Sequence, residues 1–163
     1  MIHEVEGDIL FSKAQVIAHG VAPMDPMSTG LARALHERFP NMHKDFHHWC
    51  KQQHPQPGES WMWGGPDGVR VVCLLTQSGG YGHGGHPGPA TLTLVNHTLR
   101  SLFKMVKKER FTSLALPRLA TGVGGLEWDD VRPILRSRLE ELEIPVYVYT
   151  TYRAGHQATE PGI

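Results

Sequence analysis

The residues best suited to chemistry lie between Leu114 and Trp128, LALPRLATGVGGLEW. A short apolar run, Leu114-Ala115-Leu116, stops at Pro117, and Gly122, Gly124 and Gly125 supply most of the loop that follows. Glu127, Asp129 and Asp130 come next, acidic residues that favour the first turn of a helix because they offset its positive end. A strand, a glycine loop and a helix start aim several backbone N–H groups at one spot, and such a spot attracts a phosphate. A plain tight turn is the competing reading. A second stretch repeats the pattern. An apolar strand at Val16-Ile17-Ala18 runs into a loop holding Pro23, Pro26 and Gly30, then into a helix with Leu31, Ala34, Leu35 and Phe39 on one face. Ser28 or Thr29 suits its N-cap, and Pro40 is expected to close it. Two such loops on one sheet edge would grip two phosphates.

Histidines are the other reactive group, and the chain has 11. His83 and His86 sit in Gly79 to Gly88, a stretch so rich in glycine that it reads as a mobile flap. There they either exchange protons near neutral pH or simply face solvent. His43 and His47 are four apart on a predicted helix with His48, Cys50 and His54 nearby, which raises zinc as a rival chemistry. No recognised ligand spacing is present, and Phe46 and Trp49 make that face look like core, so no metal is assigned.

The elements that must hold these residues follow from periodicity. Strands are expected at Met1 to Glu6, Gln15 to Val21, Ser60 to Trp63, Val69 to Thr76, Leu114 to Leu116 and Val146 to Thr151. The third and fourth form a hairpin through Gly64-Gly65-Pro66-Asp67-Gly68. Asn41 is expected to cap a short helix facing the core through Met42, Phe46, Trp49 and Cys50. Thr91 to Lys108 is the longest helix, with Leu92, Val95, Leu99, Leu102, Phe103 and Val106 inward. A last helix buries Val131, Ile134, Leu135, Leu139 and Leu142, with Pro133 in its first turn. Residues 153–163 lack periodicity and are expected to form a flexible tail. Six strands interleaved with about four helices predict an α/β fold, a three-layer sandwich around a mixed six-stranded sheet, in one domain over residues 1–152.

Bulk properties narrow the setting. With 163 residues, 40% hydrophobic and 20% charged, the chain can bury one real core. Sixteen basic residues balance 16 acidic ones, so no basic field draws duplex nucleic acid. Two cysteines without a pairing pattern point to a reducing, cytoplasmic setting. No secretory or membrane-spanning pattern is read, and a monomer is expected.

Three blocks in this order carry a resemblance: Gly7-Asp8-Ile9 after the first strand, Met27-Ser28-Thr29-Gly30-Leu31-Ala32, and the loop before Leu126-Glu127-Trp128. Together they resemble the macrodomain family over residues 1–152. Pro117-Arg118 and the Gly-Leu-x-Trp ending are similar to its branch of terminal ADP-ribose protein glycohydrolases and toxin–antitoxin DNA ADP-ribose glycohydrolases. The resemblance implies an ADP-ribose pocket with no cofactor. Asp8, beside Ile9, would accept a hydrogen bond from the adenine amine; its alternative role is capping its own turn. Ser28, Thr29, Gly30 and Leu31 would bracket the distal ribose and one phosphate. Thr121, Gly122, Val123, Gly124, Gly125 and Leu126 would wrap the pyrophosphate, with the Thr121 hydroxyl as an added donor. Tyr152 would stack near adenine, or be a half-buried strand end. His19 would reach the distal ribose, or be a satisfied core histidine.

The sequence departs from that branch at its two catalytic groups. No lysine follows Leu74-Leu75-Thr76-Gln77-Ser78, and Gly124 or Gly125 stands where the branch has an acid. Covalent catalysis by lysine therefore does not carry over. A positioned water, aided by Gly124, Gly125 and His83, would still hydrolyse an ADP-ribose ester of Glu or Asp, because a carboxylate leaves without much acid help. The expected partners are ADP-ribose and ADP-ribosylated protein, with nucleic acid only where it carries ADP-ribose. A non-catalytic reader, or a hydrolase of O-acetyl- or phosphorylated ADP-ribose, is the alternative.

Overall fold

Side chains alternate along each central strand, and each alternation feeds a different helical layer. Val16, Ala18, Val72, Leu74, Leu114, Leu116, Val146 and Val148 pack on one side, against Val95, Leu99, Leu102, Val131 and Leu135. Ile17, Val71, Cys73, Ala115, Tyr147 and Tyr149 face the other side, against Leu35, Met42, Phe46 and Cys50. In this computed structural model, which describes residues 1–80 and 86–163, the result is a three-layer α/β/α sandwich.

The strands are β1 (Ile2–Gly7), β2 (Val16–Gly20), β3 (Ser60–Gly64), β4 (Arg70–Leu74), β5 (Gln77–Gly79), β6 (Pro87–Ala90), β7 (Leu114–Pro117) and β8 (Val146–Tyr152). The helices are α1 (Gly30–Arg38), α2 (Pro40–Gln53), α3 (Leu92–Glu109) and α4 (Trp128–Leu139). Six strands form the main sheet in the order β1-β8-β7-β2-β4-β3. All neighbours are parallel except β3 with β4, the expected hairpin, where Met62 pairs with Val72. Parallel pairing brings the carboxyl ends of β1, β2, β4, β7 and β8 to one edge, so the segments after them meet there. Open α/β sheets bind ligands at that edge.

Several boundaries differ from expectation. Pro40 does not close a helix; Phe39 ends α1, and Pro40 opens α2 at a position where its missing N–H costs nothing. Asn41 therefore lies inside α2 rather than capping it. Because α4 begins at Trp128, Pro133 falls beyond the first turn. Leu92 is exposed and Phe103 only partly buried, leaving Val95, Thr98, Leu99, Leu102 and Val106 as the buried stripe of α3.

The glycine-rich stretch is not irregular at its ends. β5 and β6 pair antiparallel, Gln77 with Ala90 and Gly79 with Pro87, as a separate two-stranded ribbon. The middle of the expected flap, with His83, lies outside the described residues. The segment after β8 has no regular structure but is tied down rather than frayed. The His156 carbonyl accepts from the Asp8 amide at 2.7 Å, and Ala158 is buried against the β1 side of the core. Among the described residues, no helix is long and apolar enough to cross a membrane.

Candidate functional site

Two adjoining cavities open at the carboxyl edge of the sheet. One, of about 610 Å³, is lined by Asp8, Ile9 and Leu10 after β1, Leu31 and Ala34 of α1, and Tyr149, Thr150 and Tyr152 of β8. The other, of about 290 Å³, is lined by His19, Asp25, Thr29, Gln77 and the loop Leu119, Ala120, Gly122, Val123, Gly124. Gly30, Leu31, Pro117 and Arg118 border both, so the two form one groove with a waist. Volumes of this size suit a small ligand.

The waist is where backbone donors converge. Thr29 is the N-cap of α1, yet its side chain makes no capping bond. The first amides of the helix, at Gly30, Leu31 and Ala32, therefore keep the unsatisfied donors of a helix start beside the groove. In the narrow lobe they share the lining with the loop 120–125. Its fold uses two of its own amides: Gly125 donates to the Gly122 carbonyl at 3.0 Å, and Leu126 to that of Ala120 at 2.9 Å. Neither Gly125 nor Leu126 lines the groove. The Thr121 hydroxyl donates to the Arg118 carbonyl at 3.0 Å, and Thr121 also stays out of the lining. Gly122, Val123 and Gly124 are thus what the loop offers. Ser28 turns away too, toward a separate surface hollow with Pro26 and Met27.

Asp8 caps its own turn and also stands at the groove. Its Oδ1 accepts from the Leu10 amide at 3.1 Å, capping its own turn, and Oδ2 accepts from Gly155 at 3.0 Å. The buried carboxylate also lines the wide end of the groove. A carboxylate has about four acceptor sites, so two remain for a ligand. Tyr152 is not half-buried; it is 72% exposed at the rim of the same cavity.

His19 at the narrow end is buried but not satisfied. Nε2 lies 3.4 Å from the Cys73 thiol, while Nδ1 is buried with no hydrogen-bond partner among the described residues. Burial lowers its pKa to about 4, so the ring is neutral at physiological pH. Burial, Asp25 and Cys50 push the Cys73 thiol up, which keeps it protonated. Asp25 itself, which sequence reasoning missed, is buried with its oxygens accepting from the Ala22 and Met27 amides at 2.9 and 2.8 Å.

Two of the histidines weighed as zinc ligands, His43 and His47, stack with a third, His36. His36, His43 and His47 form a ladder of rings, with centroids 3.8 and 4.2 Å apart. His47 Nε2 donates to the Asp25 carbonyl at 2.7 Å and His36 Nδ1 to that of Met27 at 3.3 Å. The His43 ring also bonds the Pro26 backbone. Three rings thus hold three successive carbonyls of the segment that leads into Thr29 and α1. Burial first, then His47 and His36, lower the His43 pKa to about 4, since adjacent rings resist sharing positive charge. Among the described residues, no three His, Cys, Asp or Glu side chains are grouped to hold a metal ion.

The two stretches that depart from the branch both reach the narrow cavity, through Gln77 and Gly124. Gln77 is buried there, its Nε2 donating to the Gly88 carbonyl at 3.1 Å and joining β5 to β6. Gly124 accepts from the Ala90 amide at 3.0 Å, and a Cβ at 124 would stand 2.6 Å from the Ala120 carbonyl oxygen. No side chain, acidic or otherwise, fits at 124 in this loop. Arg118, quoted in the motif but given no role, is exposed at the waist and lies 6.0 Å from the centroid of the Trp128 ring.

The sequence profile of the family described as "Macro domain" matches residues 16–135. The chain is 31% identical over 157 residues to a DNA ADP-ribosyl transferase-DNA ADP-ribosyl glycohydrolase fusion protein of Thermosipho africanus, covering 89% of this chain and 40% of that protein. It is 26% identical over 152 residues to the DNA ADP-ribosyl glycohydrolase of Thermus aquaticus, covering 91% of this chain and 41% of that protein. The chain therefore spans about 40% of the length of these curated relatives. Among solved structures, the macrodomain of Thermus aquaticus DarG superposes with a TM-score of 0.81 at 26% identity, covering 92% of this chain and 98% of that one. Thermosipho africanus DarTG, solved in complex with ADP-ribose, gives 0.82 at 26% identity over 96% of this chain and 42% of that one. Profile, sequence relatives and superposed structures agree with the sheet order and the carboxyl-edge groove: this chain belongs to the macrodomain family.

Proposed function

We propose that the groove binds ADP-ribose and that the protein hydrolyses the bond joining ADP-ribose to a modified macromolecule. The observation that carries the reading is the two-lobed groove, with helix-start amides at its waist and the Gly122–Gly124 backbone lining the adjoining narrow lobe. A pyrophosphate between two sugars matches that division, and backbone donors from both segments match its charge. In this reading adenine occupies the wide end, its amine donating to Asp8 and its ring beside Tyr152. The distal ribose occupies the narrow end near His19, whose neutral ring can hydrogen-bond without adding charge.

The reaction suited to these residues uses water. The Gln77 carboxamide is no nucleophile, and position 124 holds no acid. Water attacks the anomeric carbon of the distal ribose while the carbon–oxygen bond to the modified side chain breaks. The electron pair leaves with the departing oxygen, and the proton of water passes to the ligand's own phosphate. An ester of Glu or Asp fits best, because a carboxylate leaves as a stable anion. Amides at the waist would hold the phosphate that receives the proton.

ADP-ribosylated DNA is the second substrate reading, favoured by relatives that carry DNA ADP-ribosyl glycohydrolase in their names. Release of ADP-ribose is measured from a Glu-modified protein, a Ser-modified protein and ADP-ribosylated DNA. Release from the Glu-modified sample alone supports the ester hydrolase, and release from DNA alone replaces it with the second reading. Binding of ADP-ribose with no release from any would make this a reader.

A further inference from the structure

We propose that the C-terminal segment from Gly155 to Glu160 is a working part of adenine recognition, because it aims the Asp8 carboxylate. This inference rests on ADP-ribose being the ligand. The segment touches the Asp8 residue twice: the Gly155 amide donates to Oδ2 at 3.0 Å, and the His156 carbonyl accepts from the Asp8 amide at 2.7 Å. One step back, the Arg153 amide donates to the Gly7 carbonyl at 3.1 Å. The approach is so close that a Cβ on Gly7 would stand 2.8 Å from the His156 oxygen and 2.9 Å from the Ala158 nitrogen.

The segment is anchored at its far end independently of Asp8. Glu160 accepts from the Ser12 hydroxyl at 2.6 Å, the Lys13 amide at 2.8 Å and the Tyr149 hydroxyl at 2.7 Å. Ala158 between them is buried in the core layer below. Tyr149 lines the same cavity as Asp8, so the anchor and the carboxylate share one wall. Among the described residues, only the Leu10 amide holds the other oxygen of Asp8. Without Gly155 the carboxylate keeps one anchor and can turn about its terminal torsion, which is soft. The free acceptor sites then no longer point in a fixed direction. Gly155 and Glu160 are positioning residues, acting on the ligand through Asp8.

The test compares ADP-ribose with its inosine counterpart, in which the 6-amino donor is replaced by an oxygen. A merely structural tail would weaken both ligands alike, whereas an aiming tail changes their ratio. A hydrogen bond to a charged group corresponds to roughly tenfold or more in affinity, so the intact protein should prefer ADP-ribose by about that factor. Removing residues 153–163 should bring the ratio close to one. Should the truncated chain fail to fold, Glu160→Ala, which cuts the half-buried anchor, decides the matter and should lower the ratio about threefold or more. An unchanged ratio in a folded variant overturns the inference. So does an intact protein that binds both ligands equally. An intact protein that binds neither overturns the ADP-ribose reading itself, and the inference with it.

Discussion

Mild acid should loosen this fold through His19, and the size of the effect can be worked from its burial. The ring is buried at the narrow end of the groove, and burial holds its pKa to about 4 against an ordinary 6.5. The unfolded chain takes up a proton near pH 6.5, while the folded chain refuses it until about pH 4. Stability from a neutral His19 is thus fully present above the unfolded value and is lost as pH falls toward the folded one. Each pH unit across that window removes about 1.4 kcal/mol, so roughly 3 kcal/mol is gone at its acid end. That is a large part of the ~5–15 kcal/mol stability of an ordinary domain. Urea unfolding, followed by tryptophan fluorescence at several pH values from about 7.5 to 4.5, would compare the native chain with His19→Gln. The variant should be the less stable at neutral pH, and the gap should narrow by about 3 kcal/mol on acidification. Parallel stability curves would refute the argument, because a group that does not differ in proton binding between the two states contributes no slope.

Three further outcomes follow from the site. Gly122→Glu meets no atom within 4 Å at its Cβ, so stability should change by less than about 0.5 kcal/mol. Calorimetric titration with ADP-ribose should nevertheless show affinity falling about tenfold or more, since the new carboxylate faces the phosphates; normal binding would remove this loop from the site. Gly124→Asp, which places an acid in the loop, should lower stability by about 1 kcal/mol or more in chemical denaturation, because its Cβ would press on the Ala120 carbonyl at 2.6 Å. An unaltered midpoint would mean the loop can open to receive a side chain. The histidine ladder predicts that ADP-ribose affinity declines as pH falls toward about 4, where charge enters the His43 ring and loosens the segment before Thr29. His43→Phe keeps a stacked ring without its proton and should flatten the decline; an identical pH profile would argue against the ladder.

Much of the fold was legible because its strands are buried on both faces and its helices carry apolar stripes. Val16-Ile17-Ala18 and Leu114-Ala115-Leu116 read as strands, and Val95, Leu99, Leu102 and Val106 as a helix face, from spacing alone. The two glycine-bearing loops were legible for a related reason. A loop that brings its backbone close to a ligand needs glycine, and the helix that follows leaves its own marks. Sequence also showed that no lysine stands in Leu74-Leu75-Thr76-Gln77-Ser78 and that the loop offers glycine, at 124 or 125, rather than an acid.

What tertiary structure alone decided is which atoms of those stretches are free. Loop 120–125 uses the Gly125 and Leu126 amides to hold its own shape, a choice that depends on where the chain folds back and has no signature in residue types. Asp25 and Gln77 entered the site because parallel pairing brings the ends of β2 and β4 together, across more than 50 residues of chain. His36, seven positions before His43 and on a different helix, joined the ladder only when α1 and α2 packed. The segment after Tyr152 lacks any periodicity to read, since it is held by single hydrogen bonds to Asp8, Ser12, Lys13 and Tyr149 rather than by a repeating pattern. Periodicity reports elements that repeat a contact at regular spacing. Contacts made once, between residues far apart in the chain, are fixed only by the packing of the whole.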